Sequence, residues 1–95
     1  MIETVLERKD IRNVVRVAII VVAPSDVTRE KLKTNDEEVE KVTFDELNMD
    51  SLDKVDVCLE LDKRISVDTD YEKVAKMKTV GELVSYIENL INVKV

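Results

Sequence analysis

The sequence has no histidine, and it contains only one cysteine, one glycine and one proline among 95 residues. The absence of histidine excludes Ser-His and Cys-His catalysis and removes the commonest metal ligand, so we expect no metal site. Because Cys58 stands alone, no intramolecular disulfide can form, which is typical of a reducing compartment. Scarce glycine and proline, together with 38% charged residues, indicate a helical, soluble chain.

Aromatic side chains and long apolar runs are also scarce. With 3% aromatic residues there is little to stack on bases, and a net charge of -6 disfavours nucleic acid as a partner. No apolar run reaches membrane-spanning length, and nothing resembles a secretory signal or transit peptide, so we expect no membrane insertion. The length is that of one small domain, which we place at residues 1–95.

The charge is unevenly distributed along the chain. Residues 1–34 carry seven basic and five acidic side chains, for +2, whereas residues 35–95 carry eight and sixteen, for -8. A partner of the second part should therefore be basic, although a merely solvated acidic surface is the commoner meaning of such charge.

Apolar periodicity predicts an all-α protein, a small four-helix bundle with three longer helices and one short one. The predicted helices span residues 2–22, 51–65, 71–77 and 80–92. The β-branched run at the end of the first would also suit a buried strand, but the charged residues before it continue the helical period. For the last helix, Thr79 followed by Glu82 has the pattern of a capping box.

Residues 24–49 are predicted to form a long connection between the first two helices. Within it, residues 26–32 fit a short helical turn and residues 35–38 a polar bend. Its apolar residues should hold the connection against the core: Val39, Val42, Phe44 and Leu47.

A single hydroxyl, that of Ser51, stands where this connection turns into the second predicted helix. Asp50 is a suitable N-cap, and Asp53 lies in the first turn, where negative charge suits the helix dipole. From spacing alone, a serine at this place is most often only part of a cap. The residues that follow form a broad apolar arc: Leu52, Val55, Val57, Cys58, Leu59, Leu61 and Ile65. We expect Val55, Leu59 and Leu61 in the core, with Cys58 as a small buried hydrophobe.

The tripeptide Asp50-Ser51-Leu52 resembles the Asp-Ser-Leu attachment site of the acyl carrier proteins. Without a gap from Asp50 to about Ile87, further landmarks of that family match: Asp53, Val55, Leu61, Lys76, the Thr79-Val80-Gly81 turn and Tyr86-Ile87. The resemblance implies a 4'-phosphopantetheine group joined to the Ser51 oxygen, with Asp50 and Leu52 flanking it. Many members have a glycine followed by a small or apolar residue where this chain has Asn48-Met49, which could give the loop a different backbone shape.

The resemblance implies a carrier and not an enzyme. A serine hydroxyl is a poor nucleophile and no histidine activates it, so a separate phosphopantetheinyl transferase would attach the arm. The terminal thiol of the arm would then hold acyl chains as thioesters for fatty-acid or lipoate-precursor synthesis. A Ser51–Lys54 dyad is the only enzymatic alternative, and it has no further site groups beside it. A peptidyl or D-alanyl carrier is a further alternative, and the acid directly before Ser51 disfavours the peptidyl carrier.

Two further sets of residues take roles from the resemblance. An acyl chain would fold back between the helices against Val55, Leu59, Leu61, Ile65, Thr69, Val74, Met77 and Val80. The same residues would also make an ordinary core, and Thr69 replaces the usual aliphatic side chain. Basic patches of synthases and transferases would meet an acidic docking face made of Asp53, Asp56, Glu60 and Asp62, beside Asp50. Lys63 and Arg64 stand where the family is commonly acidic.

Mitochondrial members of the family offer an alternative function. They serve lipoate-precursor synthesis and are also subunits of respiratory complex I, where Leu-Tyr-Arg motif proteins hold them. Met49 and the Arg-Glu-Lys-Leu stretch at 29–32 look slightly more like these members. We therefore expect the mitochondrial matrix as the location, with the bacterial cytoplasm or a plastid as alternatives.

Overall fold

The computed structural model describes residues 7–93, and within them the chain forms six helices and no strand. In chain order the helices are α1 (Arg8–Val22), α2 (Asp26–Leu32), α3 (Asp36–Lys41), α4 (Ser51–Ile65), α5 (Tyr71–Ala75) and α6 (Val80–Val93). The prediction of an all-α bundle is confirmed: α1, α4 and α6 are the three long helices, and α5 is the short one. Residues 2–6 of the predicted first helix lie outside the described residues.

The apolar run in the first part of the chain is helical, as its period predicts. Ile11, Val15, Ala18 and Ile19 are fully buried, and their spacing places them on one face of α1. At the start of the helix, the Glu7 N–H donates to the Asp10 carboxylate at 3.1 Å. Tertiary burial of this face therefore outweighs the strand preference of the β-branched residues.

The connection between α1 and α4 contains two short helices. The Ser25 Oγ accepts from the Thr28 N–H at 3.1 Å and caps α2, so the predicted helical turn is confirmed. The predicted polar bend at 35–38 is wrong, because the Asn35 Oδ1 accepts from the Glu38 N–H at 2.8 Å and caps α3. The cap and the burial of Val39 together turn a polar stretch into a helix.

The connection is held to the core in the way the sequence predicts. Val39, Val42, Phe44 and Leu47 are all buried. A single bridge between Thr43 and Thr79 then ties the connection to the start of α6. On its two sides, the Phe44 N–H donates to the Lys78 carbonyl and the Val80 N–H to the Val42 carbonyl, each at 2.9 Å.

The start of α6 is capped differently from the prediction. The Thr79 Oγ1 accepts from the Glu82 N–H at 3.1 Å, as a capping box requires. The Glu82 carboxylate, however, accepts from the Lys78 N–H at 2.8 Å, one residue earlier than expected. The Glu82 carboxylate therefore holds the link before α6, and the Thr79 hydroxyl caps the first turn of the helix.

The core lies where α1, α4 and α6 pack on one another. The buried arc of α4 is narrower than predicted: Val57, Cys58 and Leu61 are fully buried, whereas Val55, expected in the core, is only half-buried and Leu59 is 46% exposed. The assignment of Leu59 to the core is therefore wrong: it lies two residues from Val57, which on a helix is more than half a turn. The prediction for Cys58 is confirmed, and burial raises the pKa of its thiol.

The only glycine in the sequence lies at the closest approach of two helices. A Cβ atom added to Gly81 would lie 2.7 Å from the Glu40 carbonyl oxygen and 3.0 Å from the Glu40 Cβ. Because α3 and α6 pack directly on each other, neither backbone can move alone. Glycine is required here for the close approach and not for an unusual backbone angle.

An ion-pair cluster joins the same helices to α1. The Arg8 guanidinium contacts the Glu40 carboxylate at 2.6 Å and the Glu88 carboxylate at 2.8 Å, and Arg12 contacts Glu40 at 2.7 Å. Hydrogen bonding from Arg8 is the main reason that the pKa of Glu40 falls to about 2, from its usual value of 4.5. One carboxylate on α3 thus accepts from two arginines of α1.

Replacing Gly81 with alanine should destabilise the protein by about 1 to 3 kcal/mol, because the added methyl group overlaps backbone atoms of α3. Chemical denaturation followed by circular dichroism measures this change. Asn89→Ala, an exposed substitution on the same helix, is the matched control and should have little effect. An unchanged or higher stability for Gly81→Ala would show that the contact is loose and that only helix propensity matters.

Replacing Glu40 with glutamine should remove a pH-dependent part of the stability. The folded-state pKa lies below the usual value, so the carboxylate stabilises the fold above about pH 4.5 and loses this effect as the pH falls towards 2. The stability difference between the native protein and Glu40→Gln should therefore shrink over that range in acid titrations of unfolding. The control Glu38→Gln removes an exposed carboxylate of α3. An equal pH dependence for both variants would contradict the assignment.

Candidate functional site

Ser51 is the first residue of α4 and its side chain is exposed. Leu52 beside it is 75% exposed, so the surroundings of the hydroxyl are open to a large partner. The first N–H groups of a helix have no intrahelical carbonyl to donate to, and the 15 residues of α4 align their dipoles towards this end. An anionic group attached to the Ser51 oxygen would be stabilised here.

Two carboxylates fix the start of α4 at Ser51. The Asp50 Oδ1 accepts from the Asp53 N–H at 3.0 Å, and the Asp53 Oδ2 accepts from the Asp50 N–H at 3.1 Å. The prediction of Asp50 as the N-cap is confirmed. Both carboxylates therefore bind backbone N–H groups, which leaves the serine hydroxyl as the accessible nucleophilic oxygen of this turn.

The loop that leads into the site takes a left-handed turn at Asn48, with φ of 56°. Around it, the Phe44 carbonyl accepts from the Leu47 and Met49 N–H groups at 3.1 and 3.0 Å. Phe44, Leu47 and Met49 are buried, so their side chains hold this turn against the core. Asparagine is one of the few residues besides glycine that adopts this conformation readily. Asn48 can therefore stand in the place of the family's glycine without leaving the left-handed region.

Lys54 has its ammonium group on backbone carbonyls at the end of α5. The Nζ atom donates to the Met77 carbonyl at 2.8 Å and to the Ala75 carbonyl at 3.2 Å. It also lies 5.2 Å from the centre of the Phe44 ring. Because the Lys54 Nζ donates to these two carbonyls, the geometry gives no support to a Ser51–Lys54 catalytic dyad.

The residues predicted for an acyl pocket fall into three groups. Leu61, Val74 and Val80 are fully buried, and Thr69 is buried with its Oγ1 donating to the Asp62 Oδ1 at 3.1 Å. The others are partly or largely exposed: Val55, Ile65 and Met77 are half-buried, and Leu59 is exposed. Four of these side chains are therefore buried, and the other four are at least partly exposed.

The predicted docking residues differ in whether their carboxylates already have partners within the protein. Asp56 is exposed, whereas Asp53 takes part in the cap of α4. The Glu60 side chain is 12% exposed and pairs with Lys63 at 3.5 Å and Arg64 at 3.8 Å. The Asp62 carboxylate faces the Thr69 N–H and hydroxyl.

An apolar component of this surface was missed by the sequence analysis. Leu52 and Leu59 are both exposed and lie on either side of Asp56 along α4. The signal was the width of the apolar arc, which is too wide for one buried face of a helix. Exposed leucines beside a charged residue are typical of an interaction surface.

No group of three or more Cys, Asp or Glu side chains between residues 7 and 93 is arranged to hold a metal ion. Over the same residues, none of the helices has the length and apolar character needed to cross a bilayer.

Known proteins resemble this chain in sequence. The family model described as a phosphopantetheine attachment site matches residues 25–87. The acyl carrier protein of Wolinella succinogenes is 35% identical over 65 residues, 66% of this chain and 86% of the relative. That of Thermotoga maritima is 38% identical over 64 residues, 65% of this chain and 79% of the relative.

Two solved structures have the same fold. They are the 3-oxo-butyl and the 3,5-dioxohexyl (triketide mimic) forms of the acyl carrier protein from the actinorhodin polyketide synthase of Streptomyces coelicolor. Each has a TM-score of 0.73 and covers 99% of this chain and 100% of its own, at 19% and 21% identity. These likenesses establish the fold alone.

A helical bundle with an accessible serine at the head of its second long helix is the architecture of a carrier domain. The chain belongs to the phosphopantetheine attachment-site family and, within it, to the acyl carrier proteins. The resemblance and the cofactor implied by it, 4'-phosphopantetheine, are thereby confirmed. The relatives named here are bacterial, so the expected mitochondrial location and complex I role gain no support from them.

Replacing Asn48 with valine should destabilise the protein by about 1 to 2 kcal/mol, because a β-branched residue is strained in the left-handed conformation. Asn48→Gly is the matched control and should be neutral within about half a kcal/mol, since glycine adopts this conformation freely. Urea unfolding of the two variants measures the difference. Equal stabilities would mean that the turn at Asn48 relaxes without loss.

Proposed function

We propose that this acyl carrier protein bears its 4'-phosphopantetheine group on the Ser51 oxygen and carries acyl chains for fatty-acid or related synthesis. The observation that supports this most directly is the exposed hydroxyl at the first position of α4, in the Asp50-Ser51-Leu52 tripeptide. When bound, the group supplies a flexible arm ending in a thiol, on which acyl chains are held as thioesters.

The residues around Ser51 fit a phosphodiester. The N–H groups of Ser51 and Leu52 belong to the first turn of α4 and have no intrahelical acceptor. The nearest carboxylates, those of Asp50 and Asp53, accept from backbone N–H groups and are held by them. Leu52 is exposed beside the attachment atom and offers an apolar contact to the arm or to the enzyme that attaches it.

Attachment is the work of a separate enzyme. In the transfer from coenzyme A, the serine oxygen forms a bond to the phosphorus of phosphopantetheine, the pyrophosphate bond breaks, and adenosine 3',5'-bisphosphate leaves with the electron pair. A base must take the serine proton, and Lys54 is already bound to two carbonyls. A phosphopantetheinyl transferase therefore provides the base and the metal-assisted chemistry, while this chain provides an oriented hydroxyl.

The carrier's partners would be recognised along the exposed side of α4. Leu52, Asp56 and Leu59 form a stripe of two apolar side chains with a carboxylate between them. A partner with an apolar groove flanked by Lys or Arg fits this stripe, and charge pairing would orient the Ser51 arm towards the partner's active site. At the far end of α4, Lys63 is 76% exposed and would favour an acidic group on the same partner.

The acyl chain would be sheltered at the seam of α4 and α5. This seam has half-buried Val55 and Met77 at its edge and fully buried Leu61 and Val74 inside. An aliphatic chain placed there would bury apolar surface, which stabilises it by about 0.8 kcal/mol per methylene group. The thioester would then be partly protected from water.

Incubation with coenzyme A and a phosphopantetheinyl transferase should add one phosphopantetheine mass to the native chain and none to Ser51→Ala. Intact-mass spectrometry measures the product. Ser66→Gly is the matched control, because Ser66 is an exposed serine at φ of 54°, a conformation that glycine accepts. Modification of Ser51→Ala, or a native chain that stays unmodified while another carrier is modified in the same mixture, would contradict the proposal.

A further inference from the structure

Lys54 joins the helix that carries Ser51 to the end of α5. It follows Ser51 by three residues, so the two side chains are neighbours on one side of α4. From there its side chain crosses to the far end of α5, where Nζ donates to the Ala75 and Met77 carbonyls. The lysine side chain therefore spans the seam at the end nearest to Ser51.

The helix on the other side of this seam is short and depends on its contacts with neighbouring elements. α5 has five residues, which is far too short to be stable by itself. At its start, the Asp70 N–H donates to the Tyr86 hydroxyl at 2.8 Å, and the Asp70 carboxylate caps the Glu72 N–H at 3.0 Å. In the middle it is held by the buried Val74 side chain. At its end, the Lys54 ammonium donates to the Ala75 and Met77 carbonyls. These carbonyls have no N–H donor from a further helical turn.

We propose that Lys54 is a specificity-determining gate residue, which decides whether an attached chain enters the interior between α4 and α5. The inference rests on the proposed function, since it takes the arm to be on Ser51. A chain that folds back from Ser51 towards Leu61 and Val74 must pass the Lys54 side chain and displace its ammonium from the two carbonyls. Hydrogen bonds from a charged donor are stronger than neutral ones, so displacement without a replacement acceptor is unfavourable.

The gate should distinguish cargo by its oxygen atoms. A saturated chain offers no acceptor to the displaced ammonium, so its entry loses two charge-assisted hydrogen bonds without a replacement inside the seam. A chain with a keto oxygen at carbon 3 offers an acceptor close to the thioester, which can replace a backbone carbonyl. The carrier should therefore enclose 3-oxoacyl chains more readily than saturated chains of the same length.

Substituting Lys54 with methionine tests the gate, since it keeps an unbranched stem of similar length and removes the ammonium. In the unmodified protein, amide hydrogen exchange at Val74, Lys76 and Met77 should become about tenfold faster, because α5 opens more often. Lys63→Met, the same change at an exposed site on the same helix, should leave these rates unchanged. Lys54→Arg keeps the charge and should restore most of the protection.

The second measurement uses proteins loaded with octanoyl or 3-oxooctanoyl groups and follows thioester hydrolysis, in which water releases the acid and the free thiol. Relative to the native protein, Lys54→Met should hydrolyse its octanoyl thioester several-fold more slowly, because the saturated chain now occupies the seam more of the time. The 3-oxooctanoyl thioester should change much less. A purely structural role for Lys54 would loosen the fold and expose both thioesters alike.

Each outcome decides one part of the inference. Unchanged exchange at α5 in Lys54→Met would overturn the gate. Faster exchange with unchanged or faster octanoyl hydrolysis would overturn its effect on cargo. If Ser51 cannot be loaded at all, the proposed function fails and the cargo selection with it, whereas exchange in the unmodified protein still shows whether Lys54 holds α5.

Discussion

The reciprocal hydrogen bonds between Asp50 and Asp53 are the constraint on which the site depends. They satisfy two backbone N–H groups at the start of α4 and set Ser51 as its first residue. If the helix began one residue later, every side chain of its first turn would rotate by about 100° relative to the incoming loop. The cap thus determines both where the hydroxyl points and which residues of α4 face the core.

The cap is supported from both sides of the chain. Below it, the turn at Asn48 is closed by hydrogen bonds to the Phe44 carbonyl, and Phe44 is itself buried and bonded to the Lys78 carbonyl. Beyond it, Lys54 bonds to the end of α5 and lies over the Phe44 ring. Phe44 is therefore common to the loop, the site helix and the segment before α6, so it links the serine to the rest of the bundle.

Much of the fold was predictable because its signals are local. The bounds of α4 follow from an N-cap and an apolar period, and both lie within the helix itself. The polar run at 35–38 contains the N-cap Asn35 but gives no apolar period, because Val39 is the one apolar residue of α3. Leu59 was wrongly assigned to the core, because an apolar residue at the edge of a helix face can be either buried or exposed.

The site was predictable only in part, because only some of its contacts join residues that are close in the sequence. Ser51 and its cap are encoded in four adjacent residues. The contacts of Lys54, by contrast, join residues that are 21 and 23 positions apart, and backbone carbonyls carry no sequence pattern. Likewise, Asp62 resembles a docking residue in sequence, but in the fold its carboxylate faces Thr69.

The close contact of Gly81 with Glu40 also bears on how this chain can vary in length. From Glu40 onward, the connection is fixed at Gly81, then at the Thr43–Thr79 bridge, and then by the turn that delivers Ser51. An extra residue after Glu40 would shift the tether point relative to the bundle, whereas one between α2 and α3 falls before these fixed points. An insertion there would leave the reach of the arm unaltered as long as Asn35 still caps α3 and Arg16 still donates to the Thr34 carbonyl.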